Sequence, residues 1–131
     1  MSYDVMVFDP AAAPREVAAF IAWFERQAEW NEDHDYDDAS VSAPALQAWY
    51  ADITTEYPPM NGPLADDDDD RPQVTDYSVG RQVIYAAFAH SVAEHAHGRV
   101  QELAHQHGLG FFDVSGDGAI VYPDGTTLIP A

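Results

Sequence analysis

The chain contains no cysteine and no lysine. Without cysteine there is no disulfide, no thiolate nucleophile and no Cys-based zinc or iron–sulfur site. Five arginines are the only strongly basic side chains. They face 23 Asp and Glu, so the formal net charge is -18 over 131 residues. Such a surface repels nucleic acid and anionic lipid and attracts cations and basic proteins. Also absent is any apolar run of the ~20 residues that a helical membrane span needs. The opening Met1-Ser2-Tyr3-Asp4 has neither a basic n-region nor an apolar h-region, so a cytoplasmic protein is expected. No Gly-x-Ser-x-Gly elbow, no Walker or Rossmann glycine pattern and no basic–aromatic RNA motif occurs.

What is there is a hydrophobic fraction of 47% with 12% aromatics, which excludes a disordered chain despite the charge. One domain spanning 1–131 is expected, large enough for a core. The acids are clustered. Glu29, Glu32, Asp33, Asp35, Asp37 and Asp38 crowd one segment, and Asp66, Asp67, Asp68, Asp69 and Asp70 are consecutive. A genome-wide compositional bias or adaptation to high salt would scatter acids evenly, so the clustering favours a binding role.

Residues Tyr3–Phe8 alternate, and because Met6 and Phe8 are apolar as well, this strand should be covered on both faces. Pro14 suits a helix start, and Val17, Phe20, Ile21, Phe24 and Ala28 make an apolar stripe, predicting a helix over Pro14–Trp30. Asn31–Ala39 reads as an acidic loop. Ser42 is expected to cap a second helix with Pro44 in its first turn, and Leu46, Trp49, Tyr50, Ile53 and Tyr57 keep helical spacing up to Pro58-Pro59. Val74–Ser78 and Gln82–Ala87 read as strands around Val79-Gly80-Arg81, with Gly80 at positive φ. His90–His107 is the third helix, and Gly108 suits its C′ position. Leu109–Val114 and Ala119–Tyr122 are strands joined at Gly116-Asp117-Gly118, followed by a turn at Pro123-Asp124-Gly125.

The order β-α-α-β-β-α-β-β becomes βαββαβ when the second helix and the last strand are removed. The expected fold is therefore α+β: a ferredoxin-like antiparallel sheet with helices on one face, one extra helix and a C-terminal hairpin strand.

Two groups of residues have metal-ligand spacing. His90, Glu94, His97 and Gln101 line one helical flank, and Glu94-x-x-His97 is the spacing of di-iron carboxylate bundles. Those sites need a second such pair, which this chain lacks, and a solvated polar flank accounts for the same residues. Asp113-x-Ser115-x-Asp117-Gly118 with Asp124 follows the EF-hand spacing, yet position twelve is Asp, Pro123 precedes it and strand-like residues flank it. A hairpin turn accounts for the same letters. No metal, cofactor or catalytic residue is expected.

The aromatics near the first acidic segment have two readings. Trp23 and Trp49 fit core packing. Trp30, His34 and Tyr36 lie in a segment too acidic to be buried, which suits an interface: they serve as anchors, with Asp33, Asp35, Asp37 and Asp38 as its charged part. Asp66–Asp70 has no aromatic neighbour and is expected to steer only.

Four segments occur in a recognisable order: Met1–Phe8 (MSYDVMVF), Tyr57–Pro63 (YPPMNGP), Thr75–Ser78 (TDYS) and Gly110–Ser115 (GFFDVS). Together they resemble a family of small acidic bacterial proteins over most of the chain, a resemblance that brings no catalytic motif. By type rather than by motif, such proteins are similar to the immunity proteins of toxin–immunity systems. Clustered acid, small size and missing catalytic chemistry lead to the expectation of a non-enzymatic binding protein, most concretely an immunity-type inhibitor that neutralises a basic bacterial toxin by protein–protein contact, with no nucleic-acid or membrane partner. The alternative is a small ligand- or metal-binding α+β domain, or an enzyme, whose pocket between sheet and helices contains His90 and His97.

Overall fold

Strand β1 (Ser2–Phe8) runs through the middle of a six-stranded sheet in the computed structural model, which describes residues 2–28, 42–59, 74–116 and 118–128. Helices α1 (Val17–Ala28) and α2 (Pro44–Ile53) follow, then β2 (Asp76–Val79) and β3 (Val83–Ala89). A 3-10 turn at His90–Val92 leads into α3 (Ala93–Gln106), and β4 (Gly110–Phe112), β5 (Ile120–Val121) and β6 (Thr127–Leu128) complete the chain order. The sheet order is β2-β3-β1-β4-β5-β6, and every neighbouring pair is antiparallel. The protein is thus α+β, and its described residues form a six-stranded antiparallel sheet and three α-helices.

Side chains alternate across a strand, and here both faces are apolar. Val5 and Val7 point to one face with Ile84, Ala86, Phe88 and Phe111. Met6 and Phe8 point to the other with Val83 and Phe112. All four β1 residues from Val5 to Phe8 are buried, so the strand is covered on both sides as its composition implies. The first face receives Leu46, Trp49, Tyr50 and Ile53 of α2 and Ala96, Val100, Leu103 and Ala104 of α3. The second receives Phe20 and Trp23 of α1, flanked by Ile21 and Phe24.

The expected placement of the helices on one face therefore holds for α2 and α3 and not for α1. The reason is the doubly apolar sheet: a second apolar face left in water would cost about 25 cal/mol per Å². By packing, the helix that stands apart is the first, not the second.

Local chemistry sets the ends of these elements. Glu16 brings its carboxylate to the N–H groups of Ala18 and Ala19 at 3.2 and 3.1 Å, so α1 starts at Val17 rather than Pro14. Ser42 does not cap α2. Its buried hydroxyl donates instead to the Gly80 carbonyl at 2.7 Å, tying the helix start to the β2–β3 turn, and Ala43 holds the N-cap position without a side-chain bond. At the end of α3, Gly108 takes φ +70, the Leu109 N–H reaches the Ala104 carbonyl at 2.8 Å and the Gly108 N–H reaches His105 at 3.2 Å. That is a full Schellman closure, at the expected glycine. Positive φ occurs at Gly108, Gly118 and Gly125 rather than at Gly80, whose N–H bonds the Val83 carbonyl at 2.8 Å.

Candidate functional site

The residues expected to contact a partner are Trp30, Asp33, His34, Asp35, Tyr36, Asp37 and Asp38, with Asp66–Asp70 for steering. All of them lie outside the described residues. The described part of the molecule holds the histidines of α3 and the acids they meet.

His97 sits on α3 with its ring edge-on to Phe111, centroids 5.4 Å apart. Its Nδ1 is 2.6 Å from the Tyr3 hydroxyl on β1 and 3.7 Å from Asp113 Oδ2. The Tyr3 hydroxyl donates its single proton to Asp113 Oδ1 at 2.9 Å, so the His97 Nδ1–H is the donor to the phenol oxygen. Asp113 is the one buried acid among the described residues. Gly116 makes room for it, since a Cβ there would lie 2.1 Å from Asp113 Oδ2. Beside this group the Asp4 N–H donates to Ser115 Oγ at 2.8 Å, and the Ser115 N–H donates to the Asp4 carbonyl at 3.0 Å. Together these bonds latch the β4–β5 connection and α3 onto β1.

That latch takes up His97, Asp113 and Ser115 from the two metal-like spacings, while Asp117 lies outside the described residues. Asp113 and Ser115 are turned inward onto β1, and Gly118 returns its N–H to the Asp113 carbonyl at 3.1 Å, as a hairpin connection does. His90 and Glu94 are exposed and are not gathered with His97. Among the described residues no group of three His, Asp or Glu side chains is arranged to hold a metal ion.

A second cluster, not anticipated from the sequence, lies along the α2–α3 seam. Asp52 Oδ2 of α2 is 2.6 Å from His107 Nε2, just past α3. Glu56 accepts from Arg99 Nε at 3.2 Å and meets His95 Nε2 at 3.3 Å, and Arg99 also donates to Glu102 at 2.7 Å. The Tyr57 hydroxyl bonds His95 Nδ1. Burial raises the Tyr57 phenol pKa, with Glu56 adding to the rise and Arg99 opposing it. The signal for this cluster is the spacing of four in Asp52 and Glu56 and in His95 and Arg99, which sets each pair on one side of its segment. Spacing does not say which segment faces which.

A third group ties the α1 connection to the C-terminal hairpin. Arg15 lies 4.2 Å above the Tyr122 ring and donates to Asp124 at 2.9 Å, while the Tyr122 hydroxyl donates to the Pro14 carbonyl. The Thr126 backbone N–H is the largest cause holding the Asp124 pKa down to about 2, aided by the Thr126 side chain and Arg15. On the α1 face, Tyr85 donates to Asp4 Oδ2 at 2.6 Å, and burial with this bond raises the Tyr85 pKa.

One cleft of about 360 Å³ opens between the outer flank of α3 and the β4–β5 part of the sheet. Gly98, Gln101 and His105 line it on the helix side, and Leu109, Phe111 and Val121 on the sheet side. The histidine in its wall is therefore His105, not His90 or His97.

The bonds of Tyr3, His95, Arg15 and His107 join separate elements, whereas Arg99–Glu102 lies within α3 and Thr126–Asp124 within one turn. No described helix is long and apolar enough to cross a membrane. Comparison with protein-family models, with curated proteins and with solved structures finds no match.

Proposed function

We propose that this chain is a non-enzymatic acidic binding protein, an immunity-type inhibitor that neutralises a basic bacterial toxin by protein–protein contact. The observation that carries the reading is where the charge lies. Asp113 alone among the described acids is buried, whereas Glu16, Glu25, Asp76, Glu94, Glu102 and Asp124 stand exposed. Arg15 and Arg99 are taken up in ion pairs with Asp124, Glu56 and Glu102. These described acids leave negative charge on the surface, and a chain of net charge -18 would attract a basic surface and speed encounter with it. The resemblance to small acidic bacterial proteins supports the same reading.

The fold proposed with it is a ferredoxin-like core. The order β2-β3-β1-β4 with antiparallel neighbours supports this, as does the shared face of α2 and α3. On this reading α1 and the β5–β6 hairpin are additions to a split βαβ unit.

The toxin contact runs through Trp30, His34 and Tyr36 as anchors, with Asp33, Asp35, Asp37 and Asp38 beside them and Asp66–Asp70 steering. A pull-down with the product of the adjacent gene, followed by binding kinetics, tests it. Tyr36→Ala is expected to speed dissociation and cost about 2 kcal/mol. Changing Asp66–Asp70 to Asn is expected to slow association and flatten its salt dependence. Absence of binding together with absence of protection in cells would rule the reading out.

A further inference from the structure

We propose that the cleft between α3 and the β4–β5 part of the sheet binds a small organic cation with an apolar body. The cleft arises from the topology. α3 packs on β1, β3 and β4, and the sheet continues past it through β5 and β6. Its floor is apolar, with Leu109 and Phe111 buried and Val121 partly so. At about 360 Å³ it lies at the small end of ligand-binding cavities, which run from roughly 300 to 1,000 Å³.

Gly98 is the second observation. It sits inside α3 with ordinary helical neighbours, where glycine costs about 1 kcal/mol relative to alanine. Neither of the usual reasons for a glycine applies. Its φ is not positive, and a Cβ there would meet nothing within 4 Å. Gly98 lines the cleft, and the Cβ it lacks would stand in open space. On the proposal, the glycine leaves this wall of the cleft without a side chain.

The chemistry of the occupant follows from the wall. Gln101 supplies an amide, Glu102 a carboxylate and His105 an imidazole, and no arginine is among the described lining residues. The bond from Arg99 uses Glu102 Oε1, and the Glu102 side chain is 68% exposed. A charge of -18 on the whole chain concentrates cations at such a mouth. The apolar body covers Leu109, Phe111 and Val121, and the cationic end meets Glu102. This site uses none of the residues assigned to the toxin contact, so either can stand without the other.

The test is an NMR titration of the nitrogen-labelled protein near neutral pH with three probes on one phenylpropyl skeleton: the cationic 3-phenylpropan-1-amine, the neutral 3-phenylpropan-1-ol and the anionic 3-phenylpropanoate. Saturable shifts are expected at the amides of Gly98, Gln101, His105 and Val121. The amine should bind about fivefold more tightly than the alcohol, as one exposed charge pair provides. Glu102→Gln should abolish that preference and leave alcohol binding unchanged. Gly98→Leu, which fills the cleft with a better helix former, should weaken the amine about tenfold or more while the Tm does not fall. The exposed Glu102→Gln change keeps the test readable should Gly98→Leu fail to fold. Unsaturable shifts, a carboxylate that binds as well as the amine, or a Gly98→Leu protein that binds as before would each overturn the proposal.

Discussion

Gly110 stands so close to Phe8, its register partner on β1, that a Cβ on Gly110 would lie 2.1 Å from the Phe8 ring. The ring has nowhere to go. It packs edge-on against Phe20, Trp23 and Tyr122 at centroid distances of 5.1, 6.0 and 5.5 Å. Gly110→Ala should therefore destabilise the protein by about 2–3 kcal/mol through overpacking, although alanine is no worse than glycine in a strand. Urea unfolding measures it, and a loss below about 0.5 kcal/mol would mean that the α1 face is looser than described.

Removing the Tyr3 hydroxyl deprives the buried Asp113 carboxylate of a donor. Tyr3→Phe is expected to cost about 1–3 kcal/mol, the range for an under-satisfied buried polar group. The double variant Tyr3→Phe with Asp113→Ala should cost less than the two single changes added together, because the group left unsatisfied is then absent. Additive losses from the double-mutant cycle would disprove the coupling.

The α2–α3 seam tests packing against ion pairs. Asp52 is 46% and Glu56 36% exposed, and pairs this wet contribute at most about 1 kcal/mol. Trp49, fully buried beneath them, should cost about 3–5 kcal/mol on truncation. Asp52→Asn and Glu56→Gln are thus expected to shift the unfolding midpoint slightly, and Trp49→Ala severely. The reverse ranking would show that the seam is electrostatic.

Phenols predict the alkaline limb of stability. Burial raises the pKa of Tyr57, Tyr77, Tyr85 and Tyr122 above the usual 10.0. A folded-state pKa above the unfolded one contributes stability that is complete below about pH 10 and is lost as the pH rises through the folded value. Phenolate absorbance should therefore rise late for these four and together with unfolding. Four phenols titrating at the ordinary value in protein that stays folded would contradict their burial.

Asp124 has the opposite sign. Its pKa is depressed to about 2, chiefly by the Thr126 N–H, so its contribution is present above the ordinary carboxylate range and is lost as the pH falls through about 2. The Asp124 side chain is 54% exposed, so the effect belongs to the turn and not to the global fold. An NMR carboxyl titration should give a midpoint near 2, raised by Arg15→Ala. A midpoint at the ordinary value of 3.8 would show that the turn does not close in solution.

Local pattern was sufficient for much of this architecture. Alternation in Tyr3–Phe8 with no polar face beyond Asp4 already requires a strand covered on both sides. Gly108 ends α3 because only a positive φ lets the Leu109 and Gly108 amides turn back to Ala104 and His105. The acid excess and the missing cysteine and lysine likewise belong to the sequence. These properties depend on neighbours a few residues apart, and short-range periodicity and turn chemistry record them.

Tertiary structure alone decided which surfaces meet. Periodicity makes the stripe of α1 apolar, but does not say that it covers the Met6 and Phe8 face while α2 and α3 cover Val5 and Val7. Ser42 looks like a helix cap until the Gly80 carbonyl, 38 residues away, accepts its proton. His97 shows helical spacing in the sequence, but its partner Tyr3 lies 94 residues away, and Tyr3 in turn holds Asp113 across 110 residues. Gly98 lies inside α3 and becomes part of a cleft wall only because the β4–β5 part of the sheet supplies the other side. In each case the deciding partner is remote in sequence, and a hydrogen bond or an open space between remote groups leaves no periodic trace in either segment.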